Sequence, residues 1–167
     1  MTHIDTQRRK LLLASGTALS VALAGCSGGG DDSGDDGGDD DGDSDNGGVD
    51  VPSEADDYLG DANNYDGSAE DMTGEDSITI DVGVGENGVA FGPAAVVVDA
   101  GTEVTWEWTG NGGQHNVNTT NAPGDFTSET VEEEGHTFSQ TLEETGNYLY
   151  ECTPHSTIGM LGAVIVE

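Results

Sequence analysis

The chain has 167 residues, enough for one domain with accessory segments, and a formal net charge of −31. Its only basic residues other than histidine are Arg8, Arg9 and Lys10, so beyond residue 10 nothing can neutralise a phosphate backbone, and nucleic acid is excluded as a partner. So acidic a surface repels itself unless salt intervenes; molar salt, with a Debye length of about 3 Å, points to a salt-saturated habitat.

The first 26 residues read as an address. Arg8-Arg9-Lys10 precedes an apolar run from Leu11 to Ala24, the pattern of an export signal over residues 1–25. The run falls short of the about 20 apolar residues that span a bilayer. The paired arginines resemble a twin-arginine signal, although Leu11 stands where that signal usually has Phe. Leu23-Ala24-Gly25-Cys26 resembles a lipobox, which makes Cys26 the expected lipidation site. Two lipid chains would hold the mature protein on the outer face of the cell membrane.

Residues 26–54 form a Gly/Asp/Ser-rich stretch that is expected to be a disordered acidic tether, because it has too little apolar surface to offset chain entropy. A flexible coil of ~25 residues spans about 25–30 Å, which leaves a folded domain free to search for partners near the membrane.

The domain is expected over residues 55–167. A helical turn is read at Asp57-Tyr58-Leu59-Gly60. Ile78, Ile80 and Val82 alternate with polar residues and Gly83, predicting a half-buried strand. Glu86-Asn87-Gly88 marks a turn, and Phe91 to Val98 a second strand with Pro93 at an edge or bend. Val104, Trp106 and Trp108 share one face of a third. Gly110-Asn111-Gly112-Gly113 leads to His115. Phe138 to Leu142, Asn147 to Glu151 and Gly162 to Val166 supply further strands. Short strands with frequent glycine turns and no long amphipathic helix indicate an all-β fold, an antiparallel sandwich or barrel.

The chemistry gathers just before the last strand. Cys152, His155 and Met160 are spaced C-x2-H-x4-M in one loop. A thiolate, two imidazoles and a weak thioether make a blue-copper site. Zinc remains an alternative for part of that set, although structural zinc prefers four strong ligands. Cys152 shares strand parity with Tyr148 and Tyr150, so its sulfur should face the core at one pole. The second imidazole must come from elsewhere, and His115 follows a strand that ends in a glycine-rich corner able to sit beside the loop. His136 is read as a solvent-facing strand residue. A second loop cysteine is lacking, with Ser156 and Thr157 in its place, so a single ion is expected.

Asp66-Gly67, Asp71-Met72-Thr73-Gly74, Trp106-Glu107-Trp108-Thr109-Gly110, Gly113-Gln114-His115-Asn116-Val117, Tyr148-Leu149-Tyr150-Glu151-Cys152-Thr153-Pro154-His155 and Gly159-Met160-Leu161-Gly162-Ala163-Val164 together resemble the halocyanins. These are haloarchaeal blue-copper proteins of the plastocyanin branch of the cupredoxins. The resemblance covers roughly residues 55–167 and implies a Greek-key β-sandwich. It implies one copper ion cycling between Cu(II) and Cu(I), with His115, Cys152 and His155 as equatorial ligands and Met160 as the axial one. Asn116 would brace the cysteine loop, and the imidazole edge of His155 would lie exposed in an apolar patch. The activity implied is single-electron shuttling rather than enzymatic turnover, by a monomer serving membrane redox proteins such as a respiratory complex and a terminal oxidase. The alternative is a lipid-tethered protein that stores or delivers copper without redox cycling.

Overall fold

The computed structural model describes residues 48–167. The expected export signal, the expected lipidation site Cys26 and the expected tether as far as residue 47 lie outside the described residues. Twelve short elements follow one another: β1 (Gly48–Val49), α1 (Ser53–Leu59), β2 (Ala69–Asp71), β3 (Ser77–Val84), β4 (Ala90–Gly92), β5 (Ala95–Val98), β6 (Thr102–Trp108), β7 (Asn118–Asn121), β8 (Thr137–Leu142), β9 (Gly146–Glu151), a 3-10 turn (Ser156–Ile158) and β10 (Leu161–Val166).

The strands form a six-stranded sheet, ordered β1-β2-β5-β10-β9-β7, and a four-stranded sheet, ordered β4-β3-β6-β8. The β-sandwich expected from the sequence is present. Both sheets are mixed rather than purely antiparallel: β2 with β5, β5 with β10, and β3 with β6 run parallel. Strands that pair across a long sequence interval are free to run either way, because no hairpin turn dictates their direction.

The apolar patterns follow from what covers each face. In β3 and β6, buried Ile78, Ile80, Val82, Val104, Trp106 and Trp108 alternate with residues such as Asp81, Glu103 and Glu107, which point to solvent. One face of the four-stranded sheet is therefore wet. In β5 every residue of Ala95–Val98 is buried, and in β10 all but the first. The six-stranded sheet is covered on both sides, which accounts for continuous apolar runs. Its inner face meets the other sheet around Trp106, Phe91, Tyr150 and Val164, and its outer face is sealed by Ala55, Leu59, Val49 and Val51. Each large apolar side chain so buried contributes about 1.5–3 kcal/mol.

Three expectations change here. The strand read from Phe91 to Val98 is two strands, β4 and β5, one in each sheet. The chain crosses between sheets at Gly92-Pro93, where proline has no N–H to give to a ladder. The helical turn read at Asp57–Gly60 is a two-turn helix that starts at Ser53. Residues 48–54, counted with the tether, belong to the folded body: Val49 pairs with Ala69, and Val49 and Val51 pack against the outer cluster. Val49, Val51 and the Glu54 hydrogen bonds from Asn121 and Asn147 tie in a segment whose remaining composition reads as linker.

Candidate metal centre

The site is built at the pole where β9 runs into the loop before β10. Tyr148, Tyr150 and Cys152 all fall in the core between the sheets, as strand parity requires, and Cys152 is fully buried with a free thiol. The loop after it is a set of short backbone closures. The His155 amide donates to the Cys152 carbonyl at 2.9 Å, the Met160 amide to the His155 carbonyl at 3.2 Å, and the Cys152 amide to the Met160 carbonyl at 3.0 Å. Nine residues thus fold back on themselves and return Met160, also fully buried, beside its starting point.

His115 arrives from the other side of the sandwich. Its amide and carbonyl exchange hydrogen bonds with Val131 at 2.7 and 2.9 Å, and the Trp108 indole N–H is shared between the carbonyls of His115 and Val131. Its Nε2 lies 2.8 Å from the Asn111 carbonyl. A carbonyl only accepts, so Nε2 carries the proton and Nδ1 is left with a lone pair. That lone pair faces the thiol: His115 Nδ1 is 3.5 Å from Cys152 Sγ. His155 Nδ1 is also 3.5 Å from the sulfur and 3.2 Å from His115 Nδ1. The three donor atoms all lie within 4.8 Å of one another, a triangle that a single ion can fill.

The two imidazoles differ in setting. His115 is 1% exposed, and burial holds its pKa below the ordinary range against the pull of the Asn111 carbonyl, with His155 beside it lowering it further. His155 is only half-buried. Beside it Ile158, 57% exposed, is the one large apolar side chain that the described residues leave open to solvent. Burial also pushes the Cys152 thiol up, partly offset by the Asn116 and His155 amides. Binding a metal through this sulfur therefore means removing a proton that burial favours keeping.

Asn116 is 6% exposed and connects the two halves of the site. Its Oδ1 accepts the Thr153 amide at 2.8 Å, and its Nδ2 donates to Thr153 Oγ1 at 3.3 Å. His136 stands apart from the triangle. It is half-buried rather than solvent-facing, edge-on to the Trp108 ring with centroids 4.9 Å apart, because its carbonyl accepts the Trp108 amide and sets the two residues side by side.

Two contributors escaped the sequence reading. Asn111 sets the tautomer of His115, and its place four residues ahead in a glycine-rich corner was a usable signal. Asn63 is the other: its backbone amide donates to the Gly159 carbonyl, and its Nδ2 reaches the carbonyls of Ile158 and Val89. Nothing in its sequence neighbourhood announces this.

A β-sandwich that presents a buried thiol and two imidazoles at one pole defines a copper-binding domain of the cupredoxin class. Residues 78–167 match the copper-binding proteins of the plastocyanin/azurin family. The chain is 50% identical to halocyanin of Natronomonas pharaonis over 98% of its own length and 99% of that protein's. It is 30% identical to a chloroplastic plastocyanin of Tetradesmus obliquus over 53% of this chain and 66% of that one. Among solved structures it is similar to a purple cupredoxin from Nitrosopumilus maritimus, at 26% identity and a TM-score of 0.44, over 53% of this chain and 98% of that one. The chain belongs to the plastocyanin/azurin family of blue-copper proteins, and its cofactor is copper.

Proposed function

We propose that the domain is a mononuclear electron carrier in which His115, Cys152 and His155 are the equatorial copper ligands and Met160 is the weak axial one. The observation that carries this reading is the triangle of Nδ1, Nδ1 and Sγ within 4.8 Å at one pole of a rigid sandwich. The donor set fits the metal: a soft thiolate with two imidazoles suits both copper oxidation states. Copper bound there supplies a one-electron Cu(II)/Cu(I) couple and, through its thiolate bond, an intense visible band.

The protein's part is to hold the donors still. Cys152 and Met160 are tied backbone to backbone, and Asn116 ties Thr153 to the β6–β7 connection that carries His115. The Asn111 carbonyl keeps the His115 proton on the far nitrogen. Little rearrangement is then needed when charge changes, which keeps the barrier to electron transfer low. His115 is sealed while His155 reaches the surface beside Ile158, so electrons enter and leave through the His155 edge against an apolar contact. With charge steering screened in molar salt, docking depends on that contact.

The proposed setting is the outer face of the cell membrane. What supports it is the export-signal pattern over residues 1–25, the lipobox-like Leu23-Ala24-Gly25-Cys26 and the Gly/Asp-rich stretch that follows. The partners would be membrane redox proteins, with a respiratory complex as donor and a terminal oxidase as acceptor, served by a monomer that turns over no substrate.

Titration of the purified protein with Cu(II) tests the reading. One equivalent should produce a strong visible band that ascorbate bleaches, and Cys152→Ser should abolish it. A colourless or weakly coloured copper form that passes its metal to a chaperone would instead identify a storage or delivery protein.

A further inference from the structure

The geometry points to Asn63 as a positioning residue that locks the copper-ligand loop to the opposite half of the site. The inference rests on the ligand assignment proposed above and goes beyond it, because Asn63 lies outside residues 78–167, which carry the family match.

Both N–H bonds of the Asn63 side-chain amide are used. Nδ2 donates to the Ile158 carbonyl at 2.8 Å and to the Val89 carbonyl at 2.9 Å, and the backbone amide donates to the Gly159 carbonyl at 2.7 Å. Ile158 and Gly159 sit between His155 and Met160, so two of the three bonds hold the middle of the ligand loop. The third reaches the turn before β4. That turn supports the other imidazole: Gly88 packs backbone to backbone against Gly112, next to the Asn111 carbonyl that receives His115 Nε2. Asn63 thereby spans from the loop of His155 and Met160 to the support of His115.

Close approach is built in on the loop side. Gly159 has φ +87°, and a Cβ there would come within 2.5 Å of the Asp61 carbonyl oxygen. The segment after α1 is thus seated directly on the ligand loop, and α1 is held in turn by Tyr58, whose hydroxyl donates to the Tyr150 carbonyl two residues before Cys152. Removing the Asn63 side chain should free the middle of the loop while its ends stay closed by their own backbone bonds.

The test compares Asn63→Ala and Asn63→Asp with Asn64→Gly in the full chain. Asp keeps the shape and loses both donors. Asn64 has φ 64°, which glycine tolerates, and its Nδ2 donates to Phe91 in β4 rather than to the loop, so its replacement controls for general loosening of the segment. In the apoprotein, the amides of Ile158 and Gly159 should exchange hydrogen about tenfold faster in both Asn63 variants, and in the copper form release to a chelator should rise by a similar factor. Asn64→Gly should lower the melting temperature and leave both rates near wild type. Wild-type rates in both Asn63 variants, or equal acceleration by Asn64→Gly, would overturn the inference. A wild-type protein with no blue band would overturn the ligand assignment instead, and apoprotein exchange would still decide the role of Asn63 in the loop.

Discussion

Replacing Asn116 by alanine isolates the link between the β6–β7 connection, which carries His115, and the loop carrying the other donors. The change removes two hydrogen bonds to one residue, the 2.8 Å bond from the Thr153 amide and the 3.3 Å bond to Thr153 Oγ1. The first is short and its acceptor is buried. The second is at the long end of the range and contributes less. A net value near 1 kcal/mol per good bond, plus the partial desolvation of a stranded amide, gives a loss of about 1–3 kcal/mol. Thr153 is itself exposed, so water can replace part of what is lost and the lower half of that range is expected. At roughly 4 °C per kcal/mol for a domain of this size, the apoprotein should melt ~4–8 °C lower. Thr153→Val removes only the long bond and should cost well under 1 kcal/mol, and the double variant should show little beyond Asn116→Ala alone. Because Thr153 follows Cys152, copper release from Asn116→Ala should also quicken. Thermal melts at fixed salt and chelator kinetics read both effects. A melting temperature within about 1 °C of wild type, with unchanged copper release, would refute the assignment of Asn116 as a brace.

Gly112→Ala should be more severe. At φ +81° a side chain is strained, its Cβ would overlap the Gly88 carbonyl, and it would stand 3.0 Å from His115 Nε2. A loss above ~2 kcal/mol is expected, with a weakened His115–Asn111 bond seen in the ring-proton resonances; an unperturbed ring would argue against that support. Apoprotein stability should fall on both sides of neutrality. The folded His115 resists the proton that the unfolded chain accepts near 6.5, so its contribution is present above that pH and lost as pH falls through the depressed folded value. The folded Cys152 keeps its proton above the ordinary 9.0, so its contribution is lost as pH rises through that point. Denaturation midpoints of Cys152→Ala should therefore decline less steeply than those of wild type between about 8 and 9, below the range where Tyr58, Tyr148 and Tyr150, also raised by burial, add their own loss to both; parallel curves would sink the argument. Raising NaCl from about 0.1 to 1 M shortens the Debye length from about 10 to about 3 Å and should raise the melting temperature, because repulsion among carboxylates is screened and no Lys or Arg lies beyond residue 10 to form ion pairs that salt could weaken. A fall would contradict that reasoning.

What the sequence made legible is what depends on short spacing. The alternation in β3 and β6 announced strands with one wet face, and the structure places Ile80 and Trp106 where the pattern says. The C-x2-H-x4-M loop closes on its own backbone within nine residues, so its donors could be seen before any fold was known. The continuous apolar runs of β5 and β10 left period and face undetermined. Only the cover supplied by Ala55 and Leu59 explains them, and a seven-residue helix with acidic residues in its first turn gives little warning that it packs. Parallel pairing of β3 with β6 was illegible for a related reason: apolar alternation specifies which face a strand buries and says nothing about its neighbour's direction. The Asn63–Ile158 bond joins residues 95 apart, which no local spacing encodes.

The chemistry of those distant bonds is itself a consequence of composition. Beyond residue 10 the chain has no Lys or Arg, so a carboxylate that needs a partner must take it from an amide, a hydroxyl or the backbone. Asparagine fills that place at Glu54, and neutral asparagine amides tie backbone to backbone elsewhere. Asn121 and Asn147 donate to the two oxygens of Glu54 and fasten α1 to β7 and β9. Asn63 and Asn64 fasten the segment after α1 to the ligand loop and to β4. Asn116 fastens the β6–β7 connection, which carries His115, to the Cys152 loop. A neutral amide keeps its hydrogen bonds when ions crowd the solvent, whereas an exposed ion pair is screened away. The same salt that relieves carboxylate repulsion thus leaves the clips intact. Replacing a clip by a formal ion pair, as in Asn147→Lys against Glu54, should accordingly add stability at low salt and lose that advantage as salt approaches molar.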